Sequence, residues 1–551
     1  MVRVIAVLNH MKSAITIALV ASLWAGVTTA SGQLLRVGIT SGIAAAEPAN
    51  KHDETTAAFL HQFLESLVAY REDMTVGPLL AQRIDVSNDG KAYTFTLREG
   101  LQFHNAAPVT SAEVRWSWER YLTRDWGTGC RGMFDGSGPA YLRPSHVLKI
   151  ETPDIRTVVF HLNSPNGLFL HQMASHYCIT GILHPQSANA DGSMGRPIAT
   201  GPFRVESWEK GGGAVLTRFA GYRPRSDPMS GLTGAKLAQV EAVHFLAIQG
   251  RSEARQALLD HRVDVLLDLS MRDYDALQGH GEIELLAQER LAWHQLLIQT
   301  RTDPLLRDKR IRQAIAHAID SAEVARLLTR GLAQPNPSAV GHGSPYHTAV
   351  QDSSLSFDLS KSRALLRDAG YSGERIVIHA SKDPHPVYYE SKAPIYYETA
   401  VVVAQMLRAA GINAVVEEVS WQHQDDLYNE NRYQLMPMIY SMRTDPALMY
   451  SAYIGQKTDH GWYQWEDPEA DLWTARAAQI SDHAKRQALF DRIHAKMIDD
   501  VPSVGLFNSL RIDAVSSRVD GYRTFAMAIP RFWGVSIRNA AGAAAASEPE
   551  G

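Results

Sequence analysis

Residues 441–450, SMRTDPALMY, place a fixed positive charge and an acid close together in apolar surroundings. Arg443 stands two residues before Asp445, with the apolar segment LMPMIY before them and ALMY after. A guanidinium group can hold a carboxylate or a phosphate through two parallel hydrogen bonds. It can equally pair with Asp445 in a solvated turn, as surface ion pairs commonly do. The stretch therefore predicts either a local ion pair or the floor of a pocket for an acidic ligand.

Motifs of the common enzyme classes are absent from the sequence. The chain contains no G-x-S-x-G, H-E-x-x-H, C-x-x-C or Walker A sequence. One G-x-G-x-x-G sequence, GTGCRG at 127–132, follows a predicted helix instead of a strand, and no helix pattern comes after it. We therefore expect neither an enzyme nor a nucleotide-binding protein, and no cofactor.

The spacing of the histidines does not predict a metal site. The chain has 22 histidines, among them His171, His176 and His184 and, later, His379 and His385. Ligands on a helix are usually spaced by four residues, or follow other short fixed intervals. These histidines do not match such spacings, so we expect no metal ligands among them.

Length, charge and the N-terminus indicate an exported protein of more than one domain. The chain has 551 residues, too many for one core, and a net charge of −5, which does not favour nucleic acid as a partner. Lys12, the apolar run 14–27 and the small residues up to Ala30 resemble a secretory signal. We predict that residues 1–30 are a cleaved signal peptide and that the mature protein is periplasmic. The Ala-rich tail 541–551 is predicted to be disordered.

Two cysteines, Cys130 and Cys178, are the whole complement of thiols. In an oxidising compartment such a pair predicts a disulfide. The alternative is a pair of buried free thiols.

Local patterns predict a mixed α/β protein. Segments 82–103 and 200–219 read as β-hairpins, the first with Asp89-Gly90 as its turn. The spacing of Ile311, Ile315 and Ile319 gives the apolar stripe of a helix. Three acids are predicted helix caps: Asp308, Asp320 and Asp358.

The order of several segments resembles the extracytoplasmic solute-binding proteins of peptide/nickel-type ABC transporters, bacterial solute-binding protein family 5. The segments are NDGKAYTFTLREGLQFHNAAPVTSAEV, ATGPFRVESW, DKRIRQAIAHAID, DLSKSRALLRDAGY and MRTDP. The resemblance implies a two-lobed, hinged (Venus flytrap) α/β fold with an extra subdomain inserted in lobe I. Mapped onto this chain, lobe I would comprise 34–52, 195–290 and 499–540, the subdomain 53–194, and lobe II 291–498.

The same resemblance implies where a ligand would bind. A tryptophan at the position of Trp421 lines the pocket in peptide binders of this family, and Tyr440 would add an apolar wall. Where those proteins place an acid for the peptide's α-ammonium group, this sequence has Met442 or Arg443, with Asp445 close by. An ammonium group facing Met or Arg would be unpaired or repelled. The predicted ligand-binding residues are therefore Trp421, Tyr440, Met442, Arg443 and Asp445.

The resemblance implies a monomeric periplasmic binding protein that delivers a solute to an inner-membrane ABC permease. The predicted solute is peptide-like or acidic, with opine-like conjugates among the candidates. The alternatives are an envelope enzyme or chaperone on the same scaffold, or a binder of a nickel-type metal chelate.

Overall fold

The computed structural model of the chain shows a mixed α/β protein, as the helix and strand patterns of the sequence predict. The structure describes residues 34–48, 52–123, 130–137, 145–176, 178–383 and 395–538. The predicted signal peptide and the predicted disordered tail lie outside these residues. Within them, no helix has both the length and the apolarity that crossing a membrane requires.

Segments rich in β-branched and aromatic residues form the strands. The strands of the first half are β1 (Leu34–Ile39), β2 (Val68–Tyr70), β3 (Val76–Pro78), β4 (Ala81–Val86), β5 (Ala92–Leu97), β6 (Val147–Asp154), β7 (Thr157–Leu162), β8 (Phe203–Trp208), β9 (Ala214–Arg218), β10 (Ala242–Ala247) and β11 (Val265–Leu266). Those of the second half are β12 (Ile283–Ile298), β13 (Ile376–Ser381), β14 (Ala414–Val419), β15 (Leu435–Tyr440), β16 (Ser503–Ser516), β17 (Val519–Asp520) and β18 (Ser536–Ile537). Both predicted hairpins are present, as β4–β5 and β8–β9.

The helices follow the predicted caps. They are α1 (Glu54–Phe63), α2 (Ser111–Thr123), α3 (Gly132–Asp135), α4 (Phe169–Met173), α5 (Arg251–Leu259), α6 (Met271–Leu277), α7 (Lys309–Ala318), α8 (Ser321–Thr329), α9 (Leu359–Asp368), α10 (Ile395–Ala409), α11 (Trp421–Glu430), α12 (Pro446–Tyr450), α13 (Pro468–Gln479) and α14 (His483–Asp500). Asp308, Asp320 and Asp358 each accept a backbone N–H at the start of their helices, which confirms the three predicted caps.

A ten-stranded sheet runs through the molecule in the order β14-β13-β15-β12-β16-β11-β1-β10-β9-β8. One half holds strands from the N-terminal part of the chain and the other half holds strands from residues 376–440. Each half has its own core. On the first half, Val37 of β1 and Phe245 of β10 are buried together with Phe59 of α1. On the second half, Ile311 and Ile315 of α7 pack with β13, so the predicted stripe is the buried face of that helix.

Two long antiparallel strands, β12 and β16, join the two halves of this sheet. They pair from Ile283↔Ser516 to Glu289↔Leu510 and again from Trp293↔Asn508 to Leu297↔Ser503, with a register shift between the two runs. Such an irregularity bends a strand and increases its local twist. The bend falls where the chain passes from one half of the sheet to the other.

A separate four-stranded antiparallel sheet, β4-β5-β7-β6, forms the centre of the segment predicted as an extra subdomain. Cys130 and Cys178 are joined by a disulfide in this segment, with their Cα atoms 5.5 Å apart. Helix α1 falls inside the predicted range 53–194, yet Phe59 and Phe63 are buried in the core of the first half of the large sheet. Strand β16 passes from the second half of the sheet to the first near residues 508–510.

Candidate ligand-binding site

The loop 441–445 connects the end of β15 to the first turn of α12. All six residues of β15 are buried, so the loop emerges from the interior of the sheet. Pro446 occupies the first turn of α12, where backbone N–H groups have no partner within the helix. The N–H that proline lacks therefore costs no hydrogen bond. Asp445 caps the helix by accepting a hydrogen bond from the backbone N–H of Ala447 at 2.9 Å. The Asp-Pro step therefore fixes the direction in which the loop leaves the sheet.

The Asp445 carboxylate is buried and paired with Arg486 of α14. Nη2 of Arg486 donates to Oδ1 of Asp445 at 2.6 Å, and the two side chains are 2% and 0% exposed. Arg486 also donates to the hydroxyl of Tyr346 at 2.7 Å and to the carbonyl of Ala477 at 2.9 Å. Burial opposes ionisation of Asp445, but the neighbouring guanidinium outweighs it and holds the pKa of the carboxyl below its usual value. The negative charge of the loop is thus already neutralised.

Residues from the segment 53–194 contact the same loop from the opposite side. Tyr70 of β2 donates to Oγ1 of Thr444 at 2.6 Å, and Nδ1 of His171 lies 2.9 Å from the Tyr70 hydroxyl. Nε2 of His171 lies 3.7 Å from Oδ2 of Asp445. Burial raises the pKa of Tyr70 well above its usual value, so the phenol remains a donor. The loop therefore lies at an interface between the second half of the sheet and the segment 53–194.

Arg443 is partly buried, and among the described residues no carboxylate oxygen lies within 4.0 Å of its guanidinium group. Its Nη1 donates to the carbonyl and to Oγ of Ser441, both at 3.1 Å. The pairing of Arg443 with Asp445, one of the two alternatives left by the sequence, is not formed because Asp445 binds Arg486. Within the part of the chain that the structure describes, the positive charge of Arg443 therefore has no acidic partner.

Aromatic residues surround the end of β15. The buried Tyr440 shares a hydrogen bond of 2.7 Å with the hydroxyl of Tyr428, and its ring packs edge-on against Tyr453. Trp421, the first residue of α11, is partly buried and stacks on Tyr396 with ring centroids 5.7 Å apart. Tyr440 can therefore present its ring but not a free hydroxyl, whereas Trp421 keeps part of its indole surface accessible.

The five predicted site residues thus differ in what they can offer a solute. Met442 is buried in the core that joins the two halves, and Tyr440 and Asp445 are buried as well. Arg443 and Trp421 remain partly accessible. Arg443 can offer a cation and Trp421 an aromatic surface.

Three residues of this site were missed by the sequence analysis: Tyr70, His171 and Arg486. They lie far from the loop in sequence, and no local pattern distinguishes them from other buried polar residues. His171 and Asp445 would supply at most two metal ligands, and the carboxylate is already bound to Arg486. This arrangement does not fit a metal centre.

Comparison with known proteins gives one family match. The model described as bacterial extracellular solute-binding proteins, family 5, middle part, matches residues 75–462. A glutathione-binding protein from Salmonella typhi is 23% identical over 337 residues, a match that spans 61% of each chain. The dipeptide-binding protein of Escherichia coli K12 is 24% identical over 520 residues, which cover 88% of this chain and 90% of the relative.

Solved structures of low sequence identity share the fold. HbpA2 from Haemophilus parasuis aligns with a TM-score of 0.77 at 21% identity, covering 92% of this chain and 100% of the other. AgaA from Agrobacterium tumefaciens R10, solved in complex with agropinic acid, aligns with a TM-score of 0.66 at 22% identity, covering 92% and 99%. These alignments extend over both halves of the large sheet and the inserted segment, in agreement with the predicted two-lobed fold.

Proposed function

Since the chain belongs to family 5 of the bacterial extracellular solute-binding proteins, we propose that it captures a small solute between its two lobes and delivers it to an inner-membrane ABC permease. The named relatives bind peptides or peptide-like compounds, which supports a peptide-like solute here. We further propose that the solute is acidic and that Arg443 binds its carboxylate.

The pairing of Asp445 with Arg486 is the observation that carries the acidic assignment. Because that carboxylate is buried and neutralised, the loop 441–445 has no free acid to receive an α-ammonium group. Arg443 keeps its charge without an acidic partner among the described residues. A solute carboxylate would complete the guanidinium fork, whereas a solute cation would be repelled by it.

Two of the compared proteins support this choice of ligand class. One compared protein is described as binding glutathione and the other was solved with agropinic acid, and both ligands carry carboxylate groups. We therefore include opine-like amino-acid conjugates among the candidate solutes. Trp421, Tyr440 and Met442 would supply the apolar walls beside Arg443, with Trp421 offering the accessible ring.

Closure of the two lobes would complete the site. The Tyr70–Thr444 bond joins the segment 53–194 to the loop that carries Arg443. A solute that contacts both sides gains interactions that the open form lacks, and this difference in affinity shifts the population toward closure. We propose lobe I at 34–52, 195–290 and 499–540, the subdomain at 53–194 and lobe II at 291–498, with the bend in β12 and β16 as the hinge.

We propose that the protein acts as a monomer in the periplasm, reached through cleavage of the signal peptide at 1–30. The match to the solute-binding family and the glutathione-binding relative support a binding protein over an enzyme or chaperone on the same scaffold. N-terminal sequencing of the mature protein tests the cleavage, and size-exclusion chromatography with light scattering tests the monomer.

Binding of defined probes tests the acidic assignment. Tryptophan fluorescence and calorimetry would compare reduced glutathione with the neutral, N-acetylated dipeptide amide Ac-Ala-Ala-NH2, and native mass spectrometry would identify any co-purified solute. We expect the acidic probe to bind, and Arg443→Ala to weaken its binding at least tenfold, a loss of about 1.4 kcal/mol.

Arg432→Ala is the matched control, because it removes the same charge from an exposed position of the same lobe. It should leave the affinity unchanged. Equal affinity of wild type and Arg443→Ala for an acidic solute would reject the role of Arg443, and tight binding of the neutral probe alone would reject the acidic assignment.

A further inference from the structure

A group of metal-ligating side chains lies in the connection between α8 and α9, which also carries Tyr346, the hydrogen-bond partner of Arg486. His342, His347 and Asp352 each offer one ligand atom, and these atoms lie within 4.8 Å of one another. The imidazole rings of His342 and His347 meet edge to face, with their centroids 4.7 Å apart. This group could not be predicted from the sequence because its spacing does not follow the helical interval that metal motifs use.

The contacts of His347 place a ring nitrogen and a carboxylate oxygen close together, an arrangement that a cation between them stabilises. Nδ1 of His347 lies 2.9 Å from the carbonyl oxygen of Val340, which can only accept, so this nitrogen carries the proton. Nε2 of a neutral ring then presents a lone pair, and it lies 2.9 Å from a carboxylate oxygen of Asp352. Two electron pairs at that distance repel unless a proton or a metal ion lies between or beside them.

The distance between these two atoms suits a shared metal. Ligand atoms about 2.1 Å from a divalent metal and separated by about 90° lie roughly 3 Å apart. His347 is 10% exposed in its side chain, while Asp352 is 62% exposed and can turn to adjust its oxygen. One ligand is therefore rigid and one is adaptable.

His342 is held by a second carboxylate and by close packing. Its Nδ1 lies 2.8 Å from Oε2 of Glu289, which leaves Nε2 as the natural ligand atom. A carboxylate that orients a histidine through its other ring nitrogen is the usual outer partner of a metal-bound imidazole. Gly341 and Gly343 flank His342 at positions where a Cβ atom would lie 2.9 Å from Leu291 and 2.7 Å from Ala526, so the backbone approaches β12 closely.

We propose that His342, His347 and Asp352 form a binding site for a divalent transition-metal ion such as Zn²⁺ or Ni²⁺, with Glu289 orienting His342. Two imidazoles and one carboxylate favour these borderline ions over Mg²⁺ or Ca²⁺, which prefer oxygen ligands alone. Water would complete the coordination on the exposed side. The site includes none of the proposed solute-binding residues and differs from a binder of a metal chelate between the lobes.

Titration of the untagged, EDTA-stripped protein with ZnCl2 and with NiCl2 tests the site. Calorimetry should give one strong site per chain in the wild type, and Co²⁺ should give the visible absorption bands of a protein-bound ion. Asp352→Asn, an exposed change that leaves the fold intact, and His347→Gln should each weaken binding at least tenfold. His423→Ala, which removes an exposed histidine elsewhere, should change nothing.

Binding should also weaken as the pH falls, because protons compete for the imidazoles. Absence of a site tighter than about 0.1 mM in the wild type would overturn the proposal. One-to-one binding that both Asp352→Asn and His347→Gln retain would overturn it as well, since the metal would then lie elsewhere. Solute binding by these variants should be unchanged, which separates a failure here from a failure of the proposed function.

Discussion

At the scale of single residues, the charge on the loop 441–445 is decided by long-range pairing. The local sequence left a pair between Arg443 and Asp445 as one of two alternatives, but Asp445 binds Arg486, 41 positions further along the chain. The resemblance to a known family located the loop, and no feature of the sequence indicated which arginine would neutralise the acid. The loop thus carries a buried ion pair and, as far as the described residues show, a partly buried arginine without an acidic partner.

We predict that Asp445→Asn destabilises the protein by about 3–5 kcal/mol, because it leaves the buried guanidinium of Arg486 without its counter-charge. Urea unfolding at pH 7 measures the change. Glu430→Gln, which breaks an exposed pair with Arg432, should cost less than about 1 kcal/mol.

The destabilisation by Asp445→Asn should depend on pH. Burial and pairing together leave the pKa of Asp445 below its ordinary value of 3.8, so the ionised form is favoured in the folded protein. Its contribution is fully present above that ordinary value and disappears as the pH falls through the lower folded-state pKa. The gap between wild type and variant should therefore close in strong acid; a gap that is constant from pH 7 to pH 2 would contradict the ion-pair explanation.

At the scale of elements, Glu54 at the start of α1 contacts both of the strands that cross between the halves of the sheet. Arg290 of β12 donates to Oε2 of Glu54 at 2.7 Å, and Arg511 of β16 lies 3.7 Å from the same oxygen. Both arginines are almost fully buried, and both adjoin the register shift between the strands. The bend is thus held by charge as well as by backbone hydrogen bonds.

Glu54→Gln should destabilise the protein by about 3 kcal/mol, because two buried guanidinium groups then share less negative charge. Glu119→Gln, which loosens a half-exposed pair with Arg115 on a helix surface, is the control and should cost less than about 0.5 kcal/mol. Thermal unfolding followed by circular dichroism measures both variants. Equal melting temperatures for the two variants would show that Glu54 does not secure the crossing strands.

Helices and hairpins could be predicted from the sequence because their signals are local. The alternation of Tyr93, Phe95 and Leu97 predicted β5, and the caps at Asp308 and Asp320 predicted the starts of α7 and α8. The long strands β12 and β16 could not be predicted, since they pair with each other across more than 200 positions and the buried parts of both show no alternation.

At the scale of the whole molecule, contacts between Tyr70 and the loop 441–445 hold the segment 53–194 against the second half of the sheet. We predict that Tyr70→Phe increases the radius of gyration measured by small-angle X-ray scattering, because the bond to Thr444 is lost and the open form gains population. A hydrogen bond contributes about 0.5–1.5 kcal/mol, so the ratio of open to closed molecules should increase by up to roughly tenfold.

Tyr371→Phe is the control for this closure experiment. The Tyr371 hydroxyl bonds the backbone at Glu374 and Asn413, within one half of the molecule. Its loss should leave the scattering curve unchanged. Identical curves for wild type and Tyr70→Phe would show that this contact does not govern closure.

The position of β16 also determines the order in which the molecule can assemble. This strand lies between β11 and β12 and pairs with both, yet it is the last of the ten strands of this sheet along the chain. Until it is in place, β11 and β12 each present an open strand edge, which is prone to pair with other chains. The central sheet can therefore close only after β16 has been synthesised, and the chain needs protection from aggregation until that moment.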